Sequence, residues 1–290
     1  MRPFDYYAPN TIDEAVALLH QLREGARPVA GGTDIVVQMK EGRTKFPYPQ
    51  MVVSLDRITA LRGISFSEAD GLRVGAGTRM SEIAAHPVIR ERYQALAEGA
   101  GVVGSYQTMN MGTIGGNVCN AAPSADTAPP LLIVDAQCII VGPTGRRTIP
   151  LTQFFRGPGL TCLQPGELLA ELRLPTPPSG TASAYLRHTP RKQMDIAVVG
   201  IGVALTIGGT ISHARVSLGA VAPTPIRAPK TEAALEGQAP SDDVFARAAE
   251  TAASEASPIE DVRGSADFRR HLVKVMTARM LSLAAERANG

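Results

Sequence analysis

Gly112-Thr-Ile-Gly-Gly-Asn-Val-Cys-Asn-Ala-Ala-Pro-Ser-Ala-Asp126 sets three glycines, two asparagines and a terminal aspartate between a polar run and an apolar one. Glycine carries no Cβ, so a backbone rich in it can take positive φ and let a ligand come close. Clustered N–H groups in such turns form concave sites for phosphate oxygens. A second stretch of the same kind lies upstream, Pro28-Val-Ala-Gly-Gly-Thr-Asp34. Two glycine turns so far apart in sequence imply one extended, phosphate-bearing ligand held from two sides.

Around the upstream turn, residues 27–30 read as a short strand and Ile35 opens another element. Strand, glycine turn and helix together aim backbone N–H groups at an anion. The pair is neither GxGxxG nor a Walker loop, so it does not name a ligand by itself. Before it, Thr11 and Glu14 form a capping box. Ala15, Val16, Leu18, Leu19 and Leu22 then give a helical apolar stripe that Gly25 ends. After it, apolar runs at 51–55, 61–66 and 72–76 read as strands. Thr78 is expected to cap a helix over 80–85, and Pro87 to open another reaching Gly101.

Downstream of the glycine-rich stretch, residues 129–134 suit a packed helix and 137–141 a buried strand. A turn at 143–145, a loop at 154–158 and a strand over 168–174 follow. Short alternation of strands and helices is the pattern of an α+β domain. Residues 175–180, with three prolines and a glycine, break regular structure and mark a boundary. Beyond it, 184–188, 196–207 and 210–221 are β-rich, with Gly208-Gly209 placed for a hairpin. Ser241 precedes an Ala-rich helix. Ser265 caps a longer one, in which Phe268, Leu272, Met276, Met280 and Leu283 form the expected core stripe. The second part is therefore expected to be a three-stranded antiparallel sheet backed by helices.

Composition narrows the function classes. A chain of 290 residues, 44% hydrophobic and 19% charged, has room for two domains. A net charge of +2, no Trp and 4% aromatic residues give neither a basic stripe nor stacking platforms for nucleic acid. No apolar run approaches the ~20 residues of a membrane span, and the N-terminus lacks a signal peptide's apolar core. A soluble, cytoplasmic protein is expected, with attachment to the inner face of a membrane left open. The three cysteines, Cys119, Cys138 and Cys162, form no CxxC, and the five histidines show no metal spacing. No metal site is assigned, and an iron–sulfur cluster cannot be built from this chain alone. Hydrolase elbows and zinc motifs are absent from the sequence. Asp126 reads equally as a helix N-cap and as an acceptor for ligand hydroxyls. Asn117 and Asn120 read equally as turn formers and as ligand-binding amides.

Taken in order, Ala30-Gly-Gly-Thr-Asp34, Gln107, Gly112-Thr-Ile-Gly-Gly-Asn117, Asp126, Phe154-Phe155, Pro165-Gly-Glu-Leu-Leu169 and Met194-Asp-Ile-Ala197 resemble one family end to end. It is the FAD-binding medium subunit of the molybdenum hydroxylases, of the xanthine dehydrogenase and aerobic carbon monoxide dehydrogenase type. The resemblance implies an α+β fold. An FAD-binding domain of the vanillyl-alcohol-oxidase/MurB type would span residues 1–176, as two α/β subdomains split near residue 55. A C-terminal domain at 181–290, like that of carbon monoxide dehydrogenase flavoproteins, would hold a three-stranded antiparallel sheet and a helical bundle.

The same resemblance implies FAD as the cofactor, its pyrophosphate between the two glycine loops. Val29, Ala30, Gly31, Gly32, Thr33 and Asp34 would contact it from one side, and Thr113, Ile114, Gly115, Gly116 and Asn117 from the other. Asp126 matches a cofactor-contacting carboxylate, Leu163 a residue near the flavin ring, and Val103 a large apolar position beside it. Arg187 stands where relatives carry a Lys by the flavin, and would favour the anionic reduced form. Three departures stand out. Met109 replaces an Arg common in the family, Ile196 replaces the flavin-shielding Tyr of the carbon monoxide enzymes, and no four-cysteine insert is present.

What the resemblance implies functionally is a flavoprotein subunit of a molybdenum-dependent oxidoreductase. Electrons would arrive from an iron–sulfur small subunit carrying two clusters, itself fed by a large subunit carrying the molybdenum cofactor. The complex would be a dimer of heterotrimers. No catalytic acid or base is assigned here. The alternatives are a free-standing FAD oxidoreductase with its own substrate and a non-catalytic module that kept the fold. Neither the substrate nor the final acceptor (NAD, quinone or oxygen) is legible in this chain.

Overall fold

The computed structural model describes residues 2–42, 47–192 and 194–289. It begins with β1 (Asp5–Tyr7), α1 (Ile12–Leu22), β2 (Ala26–Val29), α2 (Ile35–Glu41) and β3 (Met51–Ser54). These strands make a parallel sheet in the order β1-β3-β2. The Thr11 side chain accepts from the Glu14 N–H at 3.2 Å, as the capping box requires. The Glu14 carboxylate closes the box one residue early, on the Asn10 N–H at 2.9 Å. Ala15, Val16 and Leu19 are the buried face. The helix ends at Leu22 rather than Gly25, because Arg23 adopts φ 46° and a 3₁₀ turn over Arg23–Gly25 follows.

The central part runs β4 (Ile64–Ser67), β5 (Gly71–Gly75), α3 (Met80–Ala85), α4 (Pro87–Arg92), α5 (Gln94–Gly101), α6 (Tyr106–Met111), α7 (Ile114–Asn120) and α8 (Ala128–Ile133). It continues with β6 (Gln137–Gly142), β7 (Gly145–Pro150), β8 (Phe155–Gly157), β9 (Leu160–Thr161) and β10 (Leu168–Leu174). Five strands form an antiparallel sheet ordered β4-β5-β10-β6-β7. Val74, Ile140 and Leu172 of that sheet share one buried cluster with Ile83 of α3, Val118 of α7 and Leu131 of α8.

Several local expectations are corrected here. Thr78 caps no helix: its hydroxyl is tied to both the N–H and the carbonyl of Gly63 at 3.1 Å, and Arg79 precedes α3. The span from Pro87 to Gly101 is two helices, broken where Tyr93 takes φ −131° and ψ 47°. The run at 61–66 is a 3₁₀ turn (Thr59–Leu61) before β4. The loop at 154–158 is part of the β8–β9 ribbon.

The last part is β11 (Thr181–His188), β12 (Val199–Gly208), β13 (Thr210–Gly219), β14 (Ile226–Arg227), α9 (Pro229–Leu235), α10 (Asp242–Glu255) and α11 (Ala266–Asn289). The three long antiparallel strands are those expected, with the two-residue β14 added at the edge. The hairpin turns at Gly209, with φ +87°, a conformation only glycine takes freely. β12 starts at Val199, later than Ile196. Ser265 does cap α11, its hydroxyl accepting the Phe268 N–H at 3.2 Å. The buried face of that helix carries Arg269, Val273, Met276, Thr277, Met280 and Leu281, and Phe268 is 43% exposed. The stripe is displaced because Arg269, an unusual core residue, turns inward. Its guanidinium donates to the Val198 and Ala220 carbonyls and meets Asp261 at 2.6 Å. No described helix is long and apolar enough to cross a membrane.

Candidate functional site

A cleft of about 710 Å³ opens between the β2–α2 turn, the α6–α7 stretch, the segment at 121–126 and the turn that precedes β10. The β2–α2 turn exists because β2 and β3 run parallel and Leu55 N–H bonds the Val29 carbonyl at 2.8 Å, which delivers the chain to the sheet's end. Gly32 then turns with φ +73°. At Gly31 an added Cβ would lie 1.9 Å from the Met111 carbonyl oxygen and 2.8 Å from the Gly112 Cα. The two glycine stretches therefore touch backbone to backbone. Among the described residues, the N–H groups of Gly31, Gly32 and Thr33 donate no hydrogen bond within the chain. Such a row of free donors beside a cleft is a phosphate-binding arrangement.

The downstream stretch is built differently from the open turn that its glycines suggest. Residues 114–120 form α7, and its first N–H groups are already committed. Ile114 donates to Thr78 at 3.0 Å, Gly115 to Ala76 at 2.8 Å, Gly116 to the Thr113 hydroxyl at 3.1 Å and Asn117 to the Thr113 carbonyl at 3.0 Å. Gly115 is required by packing, since its Cβ would fall 2.6 Å from the Ala76 Cβ. What this side offers the cleft is the bare face of Gly112 and Gly116, the Thr113 hydroxyl proton and the Asn117 amide. The Thr127 hydroxyl donates to the Asn117 Oδ1 at 2.6 Å and so orients that amide. Asn120 reaches across the cleft, its Nδ2 donating to the Asp34 carboxylate at 3.1 Å. The left-handed position after α7 is taken by Ala121, φ 47°, so neither asparagine serves as a turn former.

Asp126 sits at the far wall. It does not cap α8, whose N-cap is Thr127. Its carboxylate accepts the Tyr185 hydroxyl at 2.8 Å on one oxygen and the Arg187 guanidinium at 2.6 Å on the other. Both side chains of the ion pair are over nine-tenths buried. Burial pushes the Asp126 carboxyl up to about 6, against the opposing pull of Arg187 and Tyr185. The guanidinium and the carboxylate face each other at 2.6 Å, so the charge of one offsets that of the other. Arg187 is therefore not the free cation that the sequence suggested, and its capacity to favour an anionic ligand is correspondingly reduced.

Of the residues singled out from sequence, Val29, Ala30, Gly31, Gly32, Thr33 and Asp34 line the cleft, as do Thr113, Gly116 and Asn117. Val103, Asp126, Leu163 and Arg187 line it too. Ile114 and Gly115 do not: Ile114 is fully buried and Gly115 lies against Ala76. Sequence reasoning missed Tyr185, for which no local signal exists. The turn at 164–167 has no place in the site assigned from sequence, although Pro165, Gly166 and Glu167 carry part of the resemblance, and all four of its residues line the cleft. That turn is pinned by Arg147, bidentate to Glu167 at 2.6 and 2.7 Å, and by the Gln164 N–H on the same carboxylate at 2.7 Å. Cys119 lines the cleft, and desolvation pushes its thiol up to about 12, which disfavours the thiolate. Among the described residues no group of side chains could hold a metal ion.

Comparison with known proteins adds the following. Residues 2–177 match the family model "FAD binding domain in molybdopterin dehydrogenase". Residues 184–284 match "CO dehydrogenase flavoprotein C-terminal domain". The chain is 36% identical to the carbon monoxide dehydrogenase medium chain of Hydrogenophaga pseudoflava, over 97% of this chain and 96% of that one. It is 31% identical to the xanthine dehydrogenase FAD-binding subunit of Escherichia coli O157:H7, over 98% and 97%. Its fold superposes on a chain of the Hydrogenophaga pseudoflava carbon monoxide dehydrogenase structure with a TM-score of 0.93, covering 99% of both. Quinoline 2-oxidoreductase of Pseudomonas putida 86 gives 0.91 at 28% identity, over 99% of this chain and 98% of that one.

Proposed function

The chain belongs to the family of FAD-binding medium subunits of molybdenum hydroxylases, and from that premise we propose that it is the electron-transfer subunit of such a complex. In this reading it takes electrons from iron–sulfur clusters of a small partner subunit and hands them to an external acceptor. A large subunit would carry the molybdenum cofactor, in a cytoplasmic dimer of heterotrimers. Relatives named as a medium chain and as an FAD-binding subunit are parts of larger assemblies, which supports a partner-dependent role over a free-standing one. Residues 1–176 would be the FAD domain and 181–290 the C-terminal domain.

The observation that carries the cofactor assignment is the row of N–H groups at Gly31, Gly32 and Thr33, which donate no hydrogen bond among the described residues and belong to residues that line the cleft. That donor set fits a pyrophosphate, and the side-chain-free backbone of Gly112 and Gly116 lines the same cleft. FAD, when bound, supplies the exchange between single electrons and electron pairs. The chain's own residues bind and orient it. Gly31 to Thr33 would hold the phosphates, with the Thr33 and Thr113 hydroxyls beside them. Asn117 and Asp126 would meet hydroxyls or ring edges, and Val103 and Leu163 would cover apolar surface. The test is the full chain purified alone and with its partners. Flavin absorption at one FAD per chain, with co-purifying molybdenum- and iron-bearing subunits, is expected. A colourless chain that takes up no added FAD would sink the assignment.

A further inference from the structure

Tyr185 is a buried side chain that lies behind the cleft wall rather than in it. Its place is closely specified. Its backbone N–H donates to the Glu98 carboxylate of α5 at 2.7 Å, which fixes β11 against that helix. On the neighbouring strand a Cβ at Gly200 would come within 2.9 Å of the Tyr185 hydroxyl, so bare glycine makes the space that oxygen occupies. The hydroxyl then has one acceptor, Asp126 Oδ1 at 2.8 Å, while Arg187 takes Oδ2 at 2.6 Å. Asp126 and Arg187 line the cleft.

Building on the cofactor reading above, we propose that Tyr185 is a positioning residue for the cofactor. Its hydroxyl fixes the Asp126 carboxylate and offsets its negative field, so the wall presents a bound, neutral Asp126–Arg187 pair. A carboxylate with one donor on each oxygen cannot rotate without breaking one of them. Hydrogen bonds to a charged group are the strong ones. Without the phenolic donor, Oδ1 is left buried and uncompensated, and the wall becomes more negative toward the cleft. The reduced cofactor carries more negative charge than the oxidised one and suffers more from that change.

The experiment uses the full FAD-loaded chain at pH 8, comparing wild type, Tyr185→Phe and Asp126→Asn, with thermal melting of each as the folding control. Tyr185→Phe is expected to weaken FAD about tenfold. It is also expected to lower the bound cofactor's midpoint potential by ~30 mV, which is a tenfold change in the affinity ratio of reduced to oxidised forms for a two-electron couple. Asp126→Asn, which removes the negative charge, is expected to raise the potential. Opposite signs cannot come from mere loosening of the wall. Wild-type affinity and potential in Tyr185→Phe, or shifts of the same sign in both variants, would overturn the inference. A wild-type chain that holds no FAD would overturn the reading beneath it, and this inference with it.

Discussion

Gly31→Ala tests whether the two glycine stretches form one cradle. The added methyl would lie 1.9 Å from the Met111 carbonyl oxygen, 2.6 Å from its carbon and 2.8 Å from the Gly112 Cα, where ordinary contact begins near 3.4 Å. All three obstacles are backbone, so no rotamer change relieves them. The β2–α2 turn and the α6–α7 connection must part by more than an ångström, which also strains the Asn120–Asp34 hydrogen bond. Overpacking of this kind costs about 1–3 kcal/mol. Felt in stability, that lowers the melting temperature by roughly 2–12 °C for a chain of this size. Felt in the cradle, it weakens FAD by about 5- to 150-fold. Fluorescence titration of the FAD-free chain and calorimetry read both. Gly208→Ala is the control, because nothing lies within 4 Å of its Cβ position and its φ is unrestrictive. If Gly31→Ala melted and bound FAD like that control, the contact between the two stretches would not be as described.

Gly115→Ala should separate packing from binding. Its methyl meets Ala76 at 2.6 Å, so stability should fall by about 1–3 kcal/mol while the folded fraction keeps its FAD affinity; a loss of affinity at unchanged melting temperature would refute the placement. Asn120→Ala removes the link across the cleft and should weaken FAD two- to tenfold at nearly constant stability, since a net hydrogen bond contributes about 0.5–1.5 kcal/mol; unchanged affinity in the titration would count against the link. Asp126 binds its proton more tightly when folded, at about 6 against an ordinary 3.8. Its contribution is thus fully present below the unfolded value and lost as pH rises through about 6. Wild-type stability relative to Asp126→Asn should fall by ~3 kcal/mol across that window. Denaturation series at pH 4 and 7 measure it, and a pH-independent difference between the two chains would exclude the assignment. Glu167 and Asp261, which are shifted the opposite way, cancel in that comparison.

Signals of short range were legible in the sequence. The Thr11 cap, the strand into Gly31-Gly32 and the Gly209 turn each depend on a few neighbouring residues, and each is found. The glycines at 112–116 show the limit. Two glycines and two asparagines in seven residues argue against a helix on propensity, yet α7 forms because Gly115 alone can lie against Ala76. Sequence reveals that a Cβ is excluded, but not whether a ligand or a neighbouring strand excludes it. Tertiary placement decided the rest. Thr78 preceded a helix and looked like its cap, but Gly63, brought in by the β4–β5 meander, claims both of its hydrogen bonds. Arg269 falls outside the expected stripe of its helix, and it is buried because the ends of β12 and β13 supply carbonyls for it. Asp126 left two readings open; Thr127 takes the cap, and the donors that the Asp126 carboxylate meets lie some sixty positions away on β11.

Those long-range donors explain why the cleft wall depends on the C-terminal sheet. The segment at 121–126 has no regular structure of its own, yet it lines the cleft. Its carbonyl at Pro123 accepts the Ala220 N–H at 2.7 Å, and Ala220 is held in turn by Arg269 of α11 at 3.1 Å. Asp126 at its end is fixed by Tyr185 and Arg187. Immediately after it, Pro129 of α8 packs on Gly219 and Gly202, where a Cβ would approach to 2.9 and 3.1 Å. Beyond α8, Asp135 pairs with Arg227 at 2.7 Å and with Arg215 at 3.1 Å. Carbonyl, carboxylate, ring and ion pair thus tie one short stretch to β11, β12, β13 and β14 in succession. A shift of that sheet would carry the wall with it. A subunit whose share of the chemistry is to hold a cofactor in fixed orientation gains from such a wall, because its geometry is set by a packed sheet and not by a free loop.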